Sequence, residues 1–100
     1  MKKIFIAYAH YDEASFNAAI KKTFIETAKE KGHEIDCVEL YKEKFNPVYS
    51  GEKPDAIVID HQKRIEKSDT IVLIAPIWNF RMPAILEGWI DKVLAPPWAF

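Results

Sequence analysis

The 100-residue sequence has one cysteine, three glycines, no block of like charge and no long apolar run, and each shortage excludes something. Cys37 cannot close an intrachain disulfide, and no cluster of His or Cys lies beside it to hold a metal, so a reducing, cytoplasmic setting is expected. Neither a glycine-rich dinucleotide fingerprint nor a Walker loop is present. Lys and Arg number 14 against 15 Asp and Glu, a net charge of −1, and the two signs are interspersed. That leaves no basic footprint for nucleic acid or an anionic membrane surface. The longest apolar run, residues 70–78, falls well short of the roughly 18 residues of a membrane-spanning helix, so a soluble protein without membrane insertion is expected. Met1-Lys2-Lys3 and the apolar residues 4–9 mimic a signal peptide. The run is short, however, and stops at His10-Tyr11-Asp12-Glu13 without a small-residue cleavage site. What is there is ordinary: 49% hydrophobic, 29% charged and 13% aromatic residues, which fits one globular domain and excludes disorder.

Ile4-Phe5-Ile6-Ala7-Tyr8-Ala9 is continuously apolar and too short for a helix, so it reads as a strand buried on both faces. Phe16, Ile20 and Phe24 then recur at helical spacing, with Ala19, Thr23 and Ala28 on the same face. Ser15 or Asp12 can cap this helix, and Gly32 can stop it. Residues 34–40 alternate polar and apolar, as an edge strand does. Residues 41–55, with Pro47, Gly51 and Pro54, read as a long exposed connection of the kind that borders binding sites. Residues 56–67 open like a strand, but Val58, His61 and Ile65 fall at helical spacing. A helix capped by Asp55 is chosen, because a parallel crossover is needed there. Residues 70–75 form a second strand that looks buried on both faces. A third helix begins at Pro83, carries Ile85, Leu86, Trp89, Ile90, Val93 and Leu94, and ends before Pro96-Pro97.

This βαβαβα order predicts one domain: a parallel three-stranded α/β sheet of order 2-1-3 with helices on both faces. Its third strand would be an edge, yet it carries no charge, proline or bulge signal to guard one. The chain therefore reads as the first half of a doubly wound domain, or as a protomer that completes its sheet with a partner.

Ligands of open parallel sheets bind beyond the carboxyl ends of the strands, near the point where strand order reverses, here the loops after the first and third strands. The first loop leads into a helix N-terminus with Ser15 and Asn17 beside it, an anion site by position, although Asp12 and Glu13 would repel phosphate unless turned outward. Helix capping alone also explains Ser15 and Asn17. The second loop, Pro76-Ile77-Trp78-Asn79-Phe80-Arg81-Met82-Pro83, offers an aromatic wall on which a flat heteroaromatic ligand can stack. Trp78 and Phe80 are equally readable as core or interface aromatics. His33 and His61 lack metal-ligand spacing and read as solvated surface groups.

The string Ile6-Ala7-Tyr8-Ala9-His10, then Ser15-Phe16-Asn17, then the block running from Pro76-Ile77-Trp78-Asn79-Phe80-Arg81-Met82-Pro83 to Val93, resembles the flavodoxin-like NAD(P)H:quinone oxidoreductase family. Leu40-Tyr41, Phe45-Asn46-Pro47-Val48 and the terminal Trp98-Ala99-Phe100, similar to an aromatic turn of that family, extend the resemblance over the whole chain. It implies a dimeric, flavodoxin-like flavoenzyme that takes a hydride from NADH or NADPH onto flavin N5 and reduces a quinone-like acceptor. By position, His10, Ser15, Phe16 and Asn17 would hold the flavin phosphates, with His10 also at the pyrophosphate of FAD. Pro76, Ile77, Trp78, Asn79 and Phe80 would line the isoalloxazine ring. Asn79 stands where many members have a second aromatic, closer to an FMN-dependent azoreductase branch, so FMN is the alternative to FAD. The resemblance also implies members about twice this length, with a Thr-Gly-rich loop brought to the flavin by later strands and no counterpart in residues 1–100. No catalytic residue is assigned on this basis. A regulatory flavin-binding module of the antiporter-associated type, or a non-catalytic remnant that dimerises through its third strand, are the competing expectations.

Overall fold

The computed structural model describes residues 1–95. Strand β1 (Lys3–Tyr8) is followed by helix α1 (Phe16–Glu30), β2 (Glu34–Glu39), α2 (Ala56–Glu66), β3 (Thr70–Ile74) and α3 (Ala84–Val93). The strands form one parallel sheet of order β2-β1-β3, with Ile6 paired to Cys37 on one side and to Val72 on the other. Element types, topology and the two helix caps agree with the sequence expectation. Ser15 Oγ accepts from the Ala18 amide, and Asp55 Oδ1 accepts from the Val58 amide, at 3.1 Å each. Gly32, at φ 82°, supplies the left-handed residue that ends α1. Pro83 sits one residue earlier than a first-turn proline, at the N-cap of α3.

Alternation along β1 sends successive side chains to opposite faces. Phe5, Ala7 and Ala9 join Val38, Val58, Leu86, Trp89 and Val93 in the core beneath α2 and α3. Ile4, Ile6 and Tyr8 meet Ala28, Ile74 and half-buried Phe24 and Ile25 beneath α1. Among the described residues, no helix is long and apolar enough to cross a membrane.

Five expectations are corrected. Strand β3 is not buried on both faces: Ile71 and Leu73 are 39% and 40% exposed, because nothing described pairs with its outer edge. The apolar stripe of α1 is covered only toward its C-terminal end. Phe16 is 79% exposed, and a groove of about 630 Å³ runs past Phe16, Ile20 and Phe24 to Ile4. Residues 41–55 are irregular as expected but are not simply an exposed connection, since Phe45 is buried and the Asn46 carbonyl accepts from Lys92 Nζ at 2.7 Å. Nor is His61 solvated. It is fully buried, with Trp89 Nε1 donating to its Nδ1 and Glu43 Oε1 facing its Nε2, both at 3.0 Å. His33 is also engaged, its Nδ1 accepting from the Lys2 amide. The terminal Trp98-Ala99-Phe100 lies outside the described residues.

Candidate functional site

At the carboxyl end of the sheet the ladder is prolonged by backbone bonds from Ala9 to Ile74 and from Leu40 to Tyr8. The loops that follow the three strands therefore emerge side by side. Within the first loop the backbone is held by its own side chains. The Asp12 amide donates to His10 Nδ1 at 2.9 Å, the Ala14 amide to Asp12 Oδ1 at 2.9 Å, and the Ser15 amide to the Asp12 carbonyl at 3.2 Å. Accepting at Nδ1 fixes the proton of a neutral His10 on Nε2, which makes that atom a hydrogen-bond donor.

Ser15 spends its hydroxyl on the cap, whereas the amides of Phe16 and Asn17, at the start of α1, have no backbone partner among the described residues. Two open amides at a helix start favour an anion. Each of the two acids of the loop has a partner. Asp12 is exposed and accepts from the Ala14 amide, and Glu13 is ion-paired with Lys42, whose hydrogen bond and charge hold the Glu13 carboxyl below its usual range.

The second loop is a tight turn. Trp78 and Arg81 exchange backbone hydrogen bonds of 2.7 and 2.9 Å, with Asn79 at φ 52° and Phe80 at φ 63°. The left-handed region is uncommon for any side chain but glycine, and for an aromatic such as Phe80 it is strained. The turn leaves Phe80 fully exposed and Ile77 67% exposed, while Trp78 leans on the first loop. The Trp78 ring lies 5.9 Å from that of His10, edge to face. The structure thus brings His10 and Trp78 together, sets Ser15, Phe16 and Asn17 at the helix start beside them, and projects Phe80 away from the protein.

Two aromatic residues were missed in the sequence. Tyr11 stacks on His10 at 4.9 Å and 22°, and meets Tyr41 edge to face at 6.0 Å. Burial, with the neighbouring Tyr11, pushes the Tyr41 phenol above its usual range. The available signal was the position of each tyrosine, directly after a strand at the ligand end of the sheet. The Tyr8 hydroxyl, at the end of β1, is buried with no hydrogen-bond partner among the described residues. Burial pushes the Cys37 thiol up to about 11, away from the thiolate form. No group of three His, Cys, Asp or Glu suited to a metal occurs among the described residues.

The chain is similar to NAD(P)H dehydrogenase (quinone) 1 of Rattus norvegicus, 30% identical, with all of this chain and 46% of the relative covered. Among solved structures it is similar to NAD(P)H:quinone oxidoreductase from Methanothermobacter marburgensis, with a TM-score of 0.89 and 26% identity over 99% of this chain and 55% of that one. A further likeness is to general stress protein 14 of Treponema denticola in complex with FMN, at a TM-score of 0.72 and 26% identity, covering 98% of this chain and 51% of that one. The chain spans about half the length of the curated relatives it matches. The family described as having a flavodoxin-like fold matches residues 2–100, and with its 2-1-3 parallel sheet the chain belongs to that family.

Proposed function

We propose that this chain forms the flavin-binding face of an NAD(P)H:quinone oxidoreductase. One observation carries the reading: an anion-binding loop with a donor histidine stands directly beside an aromatic wall, at the strand ends where this fold binds ligands. The donor set suits a flavin phosphate, since His10 Nε2 and the open amides of Phe16 and Asn17 all donate, while Ser15 holds the helix start in place. Pro76, Ile77, Trp78, Asn79 and Phe80 line the ring, with Trp78 and Phe80 as its stacking surfaces. The flavin, FAD or alternatively FMN, supplies the two-electron chemistry at its N5, between NADH or NADPH and a quinone-like acceptor. The role of these residues is to bind, orient and exclude water. The FMN alternative draws support from the Treponema denticola structure, which is a complex with that flavin.

A homodimer that pairs the open β3 edges, in a cytoplasmic protein, completes the proposal. Its support is an unguarded edge strand with no charge from residue 70 to residue 74.

The test is a titration of the 100-residue chain with FAD and, separately, FMN, followed by flavin fluorescence and visible absorption. Saturable binding is expected. Trp78→Ala should weaken it while leaving far-UV circular dichroism nearly unchanged. A folded chain that binds neither flavin sinks the proposal.

A further inference from the structure

The apolar groove along α1 lies outside the strand-end site and meets it only at Phe16. One helical stripe from residue 16 to residue 31 lines it, about 22 Å of helix, with Ile4 of β1 beside it. Phe16, Ile20 and Phe24 supply the bulk, and the remaining α1 residues along it are Ala and Thr, small enough to leave depth. Its volume of about 630 Å³ falls within the range of small-molecule sites. Phe16 and Ile20 stay 79% and 40% exposed, so water over this stripe is released when something covers it.

Charge is confined to one end. Lys31 and His33 line the groove where α1 stops, and no acid lines it anywhere. Lys31 is exposed and forms no ion pair among the described residues. His33 Nδ1 accepts from the Lys2 amide at 3.0 Å, which places the proton of a neutral His33 on Nε2 as a donor. An ammonium and an imidazole N–H at the same end suit the two oxygens of one carboxylate. A wholly apolar ligand would leave both groups unanswered, and a small anion would leave the stripe bare. A carboxylate at one end of a long hydrocarbon chain answers both.

We propose that the α1 groove binds a free long-chain fatty acid, with its carboxylate at Lys31 and His33 and its chain laid along Phe24 and Ile20 toward Phe16. This site does not depend on the flavin reading, because Lys31 and His33 lie at the opposite end of the sheet, where β2 begins.

The test is displacement of dansyl-undecanoic acid, whose emission rises in an apolar site, from the 100-residue chain by palmitate, octanoate and hexadecanol below micelle-forming concentrations. Each fully buried methylene is worth about fourfold in affinity, so the much shorter octanoate should bind about tenfold or more weaker than palmitate even in a half-open groove. Hexadecanol, which has the chain without the charge, should bind about fivefold or more weaker than palmitate. Lys31→Glu should remove that preference while leaving hexadecanol within about twofold of its wild-type affinity. Ile20→Asp, which sets an unpaired carboxylate in the stripe, should weaken both by about tenfold or more. Lys31 and Ile20 belong to neither core cluster, and far-UV circular dichroism checks that the variants fold. A folded wild type that takes up neither the probe nor palmitate overturns the proposal. So does equal binding of palmitate and hexadecanol, or uptake that Ile20→Asp leaves unchanged. Sedimentation showing a dimer that Ile20→Asp dissociates and palmitate does not affect gives the groove to a second copy and overturns it as well.

Discussion

Trp89 donates its indole N–H to His61 Nδ1 across 3.0 Å in the closed core between α2 and α3. Because that bond occupies Nδ1 as an acceptor, a neutral His61 carries its proton on Nε2 and donates it to Glu43 Oε1. Glu43 belongs to the turn after β2, and its other oxygen accepts from the Glu39 amide. One chain of hydrogen bonds thus ties the end of β2 to both helices on this face. Phe45, stacked on the His61 ring, packs the start of the 41–55 segment over it.

Trp89→Phe should keep the fold and lower its stability by about 2 kcal/mol, since an unsatisfied buried acceptor costs roughly 1–3 kcal/mol. Urea unfolding measures this. A midpoint equal to wild type would mean that water replaces the indole donor.

Gly88 lies on α3 where the 41–55 segment crosses it. A Cβ there would stand 2.2 Å from the Pro47 carbonyl oxygen and 2.4 Å from the Pro47 Cβ. The obstacle is backbone, which cannot swing aside as a side chain would. Gly88→Ala should cost about 1–3 kcal/mol, the usual penalty of overpacking, despite the better helix propensity of alanine. Thermal unfolding reads the loss. An unchanged or higher melting temperature would show that Pro47 gives way freely.

Phe80 keeps a left-handed backbone with its ring wholly exposed, so its strain has no visible return in packing. Phe80→Gly should stabilise the chain by about 1 kcal/mol, as glycine adopts this φ without penalty. The same substitution should weaken flavin binding by removing a stacking surface. Denaturant unfolding and flavin titration on the one variant separate the two effects, and a gain in both would remove Phe80 from the site.

Arg64 grips the Asp36 carboxylate through Nε at 2.9 Å and a second guanidinium nitrogen, fastening α2 to edge strand β2. Hydrogen bonding from Arg64 holds the Asp36 carboxyl below its ordinary 3.8. Its folded-state value is therefore the lower one. The pair's contribution is complete above about pH 4 and is lost as pH falls through that depressed value. Part of the pair faces solvent, so about 1 kcal/mol is expected. Stability measured from pH 7 down to pH 2 should show this loss at the acid end, and Asp36→Asn should flatten it. An identical acid limb in the variant would assign the loss to other carboxylates.

Much of the fold was legible because its signals are local. The apolar run of residues 4–9 became the central, fully covered strand, and Val58, His61 and Ile65 recur with the period of a helix face. Ser15 and Asp55 announce the two helix starts by their side-chain chemistry. Position at the strand ends was enough to point to His10 and Trp78, which the structure brings within 5.9 Å. Tyr11 and Tyr41 escaped notice because 29 residues lie between them, and periodicity carries no information about a contact made by two loops.

Composition and spacing determined the element types, the caps and the strand order, since each depends on interactions within a few residues or on a general chirality rule. Tertiary structure decided burial and partnership. His61 reads as a polar surface residue until Trp89 and Glu43 arrive from distant segments to satisfy both ring nitrogens in the core. Phe16 and Ile20 read as core residues until the sheet shows nothing lying over them. Hydrophobicity states only that a side chain gains by leaving water, and whether a neighbour is there to receive it is settled by how the whole chain packs.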